Sequence, residues 1–135
     1  MLMFGFLETD SLSFKVCLDE DSLNSKAIAL LLPKDCFLAR YCRDNSIPFS
    51  LYLDSKSSFT NYLSEIVAHL NLGCEYVLCD SLYTASEVQG LVEKYVLDMK
   101  VLLLSTKDTL RQDIQSCLEN GIDGLIDKAC ILPKA

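Results

Sequence analysis

The segment from Val101 to Lys128, VLLLSTKDTLRQDIQSCLENGIDGLIDK, constrains the fold more than any other part of the chain. It opens on a continuous apolar run and passes two hydroxyls, Ser105 and Thr106. It then takes on helical spacing, with Leu110, Ile114, Cys117 and Leu118 on one side, stops at Gly121 and returns as the apolar pair Leu125 and Ile126 before Lys128. A strand, a crossover helix and a second, parallel strand satisfy both periodicities at this length. In such units the loops leaving the C-terminal ends of the strands build the site, so Ser105, Thr106 and Lys128 belong on one rim.

The same alternation extends back to Lys26. Ala27 to Leu32 is an unbroken apolar run, as expected of a strand covered on both faces. Asp35 stands where it can cap a helix carrying Leu38, Tyr41 and Cys42 on one side. From Pro48 to Leu53, apolar Phe49, Leu51 and Leu53 alternate with Ser50 and Tyr52, which reads as an edge strand opened by a tolerable proline. A helix from about Ser58 buries Phe59, Leu63, Ile66, Val67 and Leu70 and stops at Gly73. The strand from Glu75 to Cys79 delivers Asp80. Thr84 and Glu87 then form a capping box for a helix with the stripe Val88, Leu91, Val92 and Tyr95. Gly90, inside that pattern, reads as a close-packing position, and His69 as a surface or packing residue.

The first twenty residues have a different character. Leu2, Phe4 and Phe6 share one side of a strand, and Phe14, Val16 and Leu18 share one side of another. A Thr-Asp-Ser turn at positions 9 to 11 lies between them, so a β-hairpin is expected. Residues 1–25 thus read as a hairpin and linker, and residues 26–135 as an α/β domain. With 48–53 at an edge, the five later strands suit a flavodoxin-like parallel sheet of order 2-1-3-4-5 with helices on both faces. No fifth helix is expected before Ala135. The face it would cover is then expected to lie against Phe4, Phe6, Phe14 and Val16 of the hairpin, or against a second copy of the chain.

Composition narrows the functional classes. The 135 residues suffice for one domain with a real core. The net charge is −7 and the twelve Lys and Arg are scattered, which disfavours direct binding of nucleic acid. No apolar run reaches the roughly 20 residues of a membrane span. The opening MLMFGFLETD lacks the pattern of a signal peptide, so a cytoplasmic protein is expected. Seven cysteines form no CxxC pair and only one histidine could join them, so the expectation is reduced thiols packed as small hydrophobes. No GxGxxG or GxxxxGK[ST] nucleotide loop occurs.

The segment CLENGIDGLIDK resembles the glycine-x-x-glycine segment and closing lysine of receiver domains of two-component response regulators. Gly121, Asp123, Gly124, Ile126 and Lys128 carry the match, and LLLST resembles that family's strand ending in Ser or Thr. The resemblance implies Asp80 as phosphoacceptor, with Ser105 or Thr106 and Lys128 compensating charge on the transferred group. It also implies a divalent cation. Pro33 and Lys34 occupy the places of the family's acidic pair, leaving Asp35 and Asp80 to hold a Mg²⁺, so a domain working without a cofactor is expected. Lys34 could supply a fixed positive charge to Asp80 in the metal's stead. The leading expectation is an atypical, phosphorylation-independent signalling or protein-interaction domain without enzymatic activity, whose partner is a protein. The alternatives are a working phosphoacceptor using Asp80, and a small-molecule-binding or enzymatic domain of the same shape.

Overall fold

The apolar runs form strands, and the helical spacings form helices, close to where the sequence puts them. The structure, a computed structural model, describes residues 1–6, 12–24, 26–53 and 62–132. The strands are β1 (Leu2–Phe4), β2 (Phe14–Val16), β3 (Ile28–Leu31), β4 (Phe49–Leu53), β5 (Tyr76–Cys79), β6 (Lys100–Ser105), β7 (Gly124–Asp127) and β8 (Ile131–Leu132). The helices are α1 (Cys36–Asp44), α2 (Tyr62–Leu70), α3 (Leu82–Lys94) and α4 (Leu110–Asn120), with 3-10 turns at Asp21–Asn24 and Lys128–Cys130. The hairpin turn at 9–11, the residues that follow β4 from 54 to 61 and with them the start of the second helix near Ser58 lie outside the described residues.

The connectivity differs from the flavodoxin-like expectation. All eight strands form one parallel sheet in the order β1-β7-β6-β5-β4-β3-β2-β8. From β2 to β7 each strand lies beside its predecessor, so the winding never reverses and has no switch point. The strand read as an edge, β4, is interior. Its alternation reflects two different buried faces: Phe49, Leu51 and Leu53 meet the helices, while Tyr52 faces the opposite cluster and Ser50 is buried. The expected hairpin is also absent. β1 pairs with β7 and β2 with β3, both in parallel and at opposite ends of the strand order.

One-way winding with right-handed crossovers places every helix on the same face. The two apolar clusters follow this division. Leu38, Ala39 and Cys42 of α1, Ile66 of α2, Ala85, Val88 and Val92 of α3 and Cys117 of α4 join one cluster with alternate strand residues. The second cluster, built around Phe14, Leu30, Leu78, Leu102, Leu104 and Ile126, contains no α-helix residue among the described residues. Its cover is the sheet itself. Asp127 ends β7 and Ile131 begins β8 four positions later, a reach of at most about 14 Å. In a flat sheet these strands would stand six spacings apart, roughly 29 Å. The sheet is therefore curled into a half-barrel, with Phe4, Phe14, Val16 and Ile131 filling the concave side. Phe4 meets Tyr76 edge to face at 5.7 Å. The residues expected to cover the bare face do so as strands of the same sheet, except Phe6, which packs with the helix-side cluster.

Several local expectations also change. Ser81, not Thr84, caps α3: its Oγ accepts from the Thr84 amide at 3.2 Å and donates to Thr84 Oγ1 at 3.0 Å. Leu118 is 64% exposed and lies off the buried side of α4. Ser46, Val96 and Gly121 take left-handed backbone conformations after α1, α3 and α4. In each case the next amide reaches back to a carbonyl in the last turn: Ile47 to Cys42, Leu97 to Val92 and Ile122 to Cys117.

Two glycines differ in a way the sequence does not show. A Cβ on Gly90 would meet nothing within 4 Å, so this exposed helical position is not a close-packing site. A Cβ on Gly124 would fall 2.5 Å from the Leu2 carbonyl oxygen and 2.7 Å from Leu2 Cβ, where β1 joins β7. The same substitution should act with opposite sign. Gly90→Ala is expected to stabilise the fold by about 1 kcal/mol, and Gly124→Ala to destabilise it by about 2 kcal/mol. Urea unfolding measures both, and for Gly124→Ala the amide protection of Leu2 to Phe4 should be lost first.

Candidate functional site

All strands run the same way, so the loops leaving their C-terminal ends share one edge. β5, β6 and β7 are consecutive in the sheet and bring Asp80, Ser105 with Thr106, and Lys128 to that edge in this order. Ser105 pairs in register with Asp127. The expected rim group is thus neighbouring by topology, with β6 between Asp80 and Lys128.

The hydroxyls of this group are engaged in local structure. Ser105 is 2% exposed, and its Oγ donates to Asp113 Oδ2 of α4 at 2.5 Å. Asp113 also accepts from Thr109 Oγ1 at 2.8 Å. Thr106 Oγ1 lies 3.0 Å from Thr109 Oγ1 and accepts from the Thr109 amide at 3.3 Å. Together these bonds tie the end of β6 to the first turn of α4, and Ser105 is turned toward the helix layer. Asp127 is buried and accepts from the Ala129 amide at 3.0 Å, closing the turn that carries the exposed Lys128.

Lys34 and Asp35 leave from β3, and β4 stands between β3 and β5. Asp35 and Asp80, the carboxylates expected to share a Mg²⁺, thus leave strands that are not neighbours in the sheet. Among the described residues no group of three or more His, Cys, Asp or Glu is placed to hold a metal. Lys34 is held from another direction: its amide donates to Glu65 Oε2 of α2 at 2.8 Å, with φ at 69°. That bond fixes the turn that presents Asp35.

A second group on the same edge was not apparent in the sequence. A cavity of about 470 Å³ opens between the chain leaving β2 and the start of α1, lined by Leu18, Asp19, Glu20, Asp21, Asp35, Phe37 and Leu38. The acidic stretch, read as linker, is anchored at both ends. Cys17 N donates to the Leu30 carbonyl at 3.0 Å, and Leu23 is buried. Asp19 Oδ1 accepts from both the amide and the hydroxyl of Ser22, at 2.9 and 2.8 Å, and these bonds hold its carboxyl below the ordinary range. Asp35 is shifted the other way. Burial raises its carboxyl above the ordinary range, partly offset by the Leu38 amide and nearby His69. His69 is fully buried behind this loop, its Nδ1 donating to the Glu65 carbonyl at 2.8 Å. Leu18 and Phe37 project from the cavity wall at 70% and 68% exposure. Two signals could have revealed this group: three successive acids immediately after a strand, and a Phe37 that falls outside the apolar stripe of α1.

Comparison with protein-family models and with curated proteins finds no match for this chain. No helix among the described residues is long and apolar enough to cross a membrane.

The cysteines are all free, and only Cys36 is not buried. Burial pushes Cys42 and Cys117 up to about 11, Cys74 up to about 12 and Cys79 higher still. At pH 8 a thiol of pKa 11 is ionised in roughly one molecule per thousand, and the thiolate is the reactive form. Iodoacetamide at pH 8 should therefore label Cys36 on the native protein, while Cys42, Cys74, Cys79 and Cys117 react only as the chain unfolds. Peptide mass mapping reads the order of labelling.

Proposed function

We propose that this chain is a phosphorylation-independent protein-interaction domain that binds through the C-terminal edge of β2 and β3. The observation that carries this reading is the pair Leu18 and Phe37, large apolar side chains held in solvent in the lining of an acidic cavity. Exposed apolar surface of this kind, rimmed by polar groups, is characteristic of recognition surfaces. The turns beneath it are pinned by Asp19 with Ser22, by Leu23 and by the Glu65 bond to Lys34, so little ordering is required on binding. The ends of β6 and β7, by contrast, direct the Ser105 hydroxyl and the Asp127 carboxylate into local bonds.

A second reading, phosphoryl acceptance by Asp80, is favoured by one observation: β5, β6 and β7 bring Asp80, Thr106 and Lys128 to one edge in succession. Incubation with acetyl phosphate and magnesium, followed by intact-mass measurement, separates the two. The interaction reading expects no phosphoryl adduct, whereas an adduct removed by Asp80→Asn would establish the second. In parallel, affinity capture from the source cells should yield a partner that Asp80→Asn retains and that the Leu18→Ser, Phe37→Ser double variant loses. These apolar side chains are already in solvent, so their removal should leave the unfolding free energy within about 0.5 kcal/mol of the parent.

A further inference from the structure

The lining of the cavity narrows what the interaction surface can accept. Four of its residues, Asp19, Glu20, Asp21 and Asp35, are carboxylates, and no lysine, arginine or histidine is among them. Lys15 approaches Asp19 from β2, but the lining itself stays acidic. These four acidic residues line one volume, and no metal-holding group occurs among the described residues. Such an arrangement favours positive charge distributed over an extended organic group above a compact ion. Asp35, half-buried at the first turn of α1, pays a desolvation cost that an arriving cation would relieve.

The apolar residues set the second requirement. A small-molecule pocket encloses most of its ligand, whereas Leu18 and Phe37 project outward at 70% and 68% exposure. Covering both takes a partner that spans the mouth and carries apolar side chains beside its charge. Phe37 also offers an aromatic face to an ammonium or guanidinium group.

We propose that this cavity takes a basic peptide segment with an apolar anchor: a lysine or arginine side chain enters among Asp19, Glu20, Asp21 and Asp35, and a neighbouring apolar side chain packs on Leu18 and Phe37. The proposal rests on the interaction-domain reading and specifies its partner. The charges favour fast, salt-sensitive association, and the apolar contact supplies dwell time.

The test is an amide NMR titration of the whole chain with a capped peptide of alternating lysine and leucine. Controls are capped peptides of alternating glutamate and leucine, and of alternating lysine and serine, together with spermine. The lysine-leucine peptide should shift the amides of Leu18 to Ser22 and of Phe37 and Leu38, and should slow alkylation of Cys36, which lies between two lining residues. Asp35→Asn and Leu18→Ser should each weaken that binding by roughly tenfold, with the remaining amide shifts unchanged as evidence of an intact fold. The lysine-serine peptide should bind more weakly and the glutamate-leucine peptide should not bind. The proposal is overturned if the lysine-leucine peptide leaves these amides unmoved, if the glutamate-leucine peptide binds as well, or if spermine matches the lysine-leucine affinity, which would mark a site for small cations only. If the lysine-leucine peptide fails while capture of a partner still depends on Leu18 and Phe37, the basic occupant is wrong and the interaction reading stands. If capture loses that dependence as well, both fail.

Discussion

A parallel sheet wound in a single direction places all its crossover helices on one side, and the other side must find apolar cover elsewhere. In this chain the cover comes from curvature. β8 follows β7 after only three residues yet pairs with β2, at the far end of the strand order, so the sheet has to bend until those strands are neighbours. Bending draws Leu30, Leu78, Leu102 and Ile126 toward one another and encloses Phe14 completely. The small side chain of Ser50, buried in β4, fits that reasoning: a large residue there would compete for the same space.

Curvature and strand order also decide which charged groups can cooperate. With β4 between β3 and β5, Asp35 shares a cavity with the acidic turn after β2, and Asp80 leaves beside the ends of β6 and β7. The edge therefore carries two separate groups. One is built largely into hydrogen bonds that hold α4 and the turn after β7, and the other surrounds an open cavity. That division is why an interaction role at β2 and β3 is favoured over phosphoryl chemistry spread across the whole rim.

The segment that suggests a receiver domain has local physical reasons for its residues. Gly121 takes a left-handed conformation to end α4, and Gly124 leaves room for the backbone of β1. Asp123 joins three elements: its Oδ2 accepts from the Val101 amide at 2.9 Å, its amide donates to Gln89 Oε1 at 3.3 Å, and its carbonyl accepts from the Leu2 amide at 3.0 Å. Gly5, at φ +85°, passes so close to Cys130 that a Cβ there would collide with its Sγ, and it would crowd Asp127 Cβ at 3.2 Å. These residues thus serve the end of α4, the tie between α3, β6 and β1, and the docking of β1 on β7.

What the amino-acid order determined alone was the set of elements. Periods of 2 and 3.6 are properties of neighbouring residues, so β3 to β7, α1, α3, α4 and the glycine stops at 73 and 121 could be read within a residue or two of their observed limits, apart from the start of α3, which Ser81 caps. Strand order was not legible, because Phe49-Ser50-Leu51-Tyr52-Leu53 alternates in the same way whether its second face meets water or the inside of a curved sheet. The partners of β1, β2 and β8 were equally hidden, since segments of two or three residues carry too little pattern to specify a neighbour. Tertiary structure alone decided that the acids after β2 meet Asp35 beside Phe37, because that meeting depends on two strands distant in sequence lying side by side.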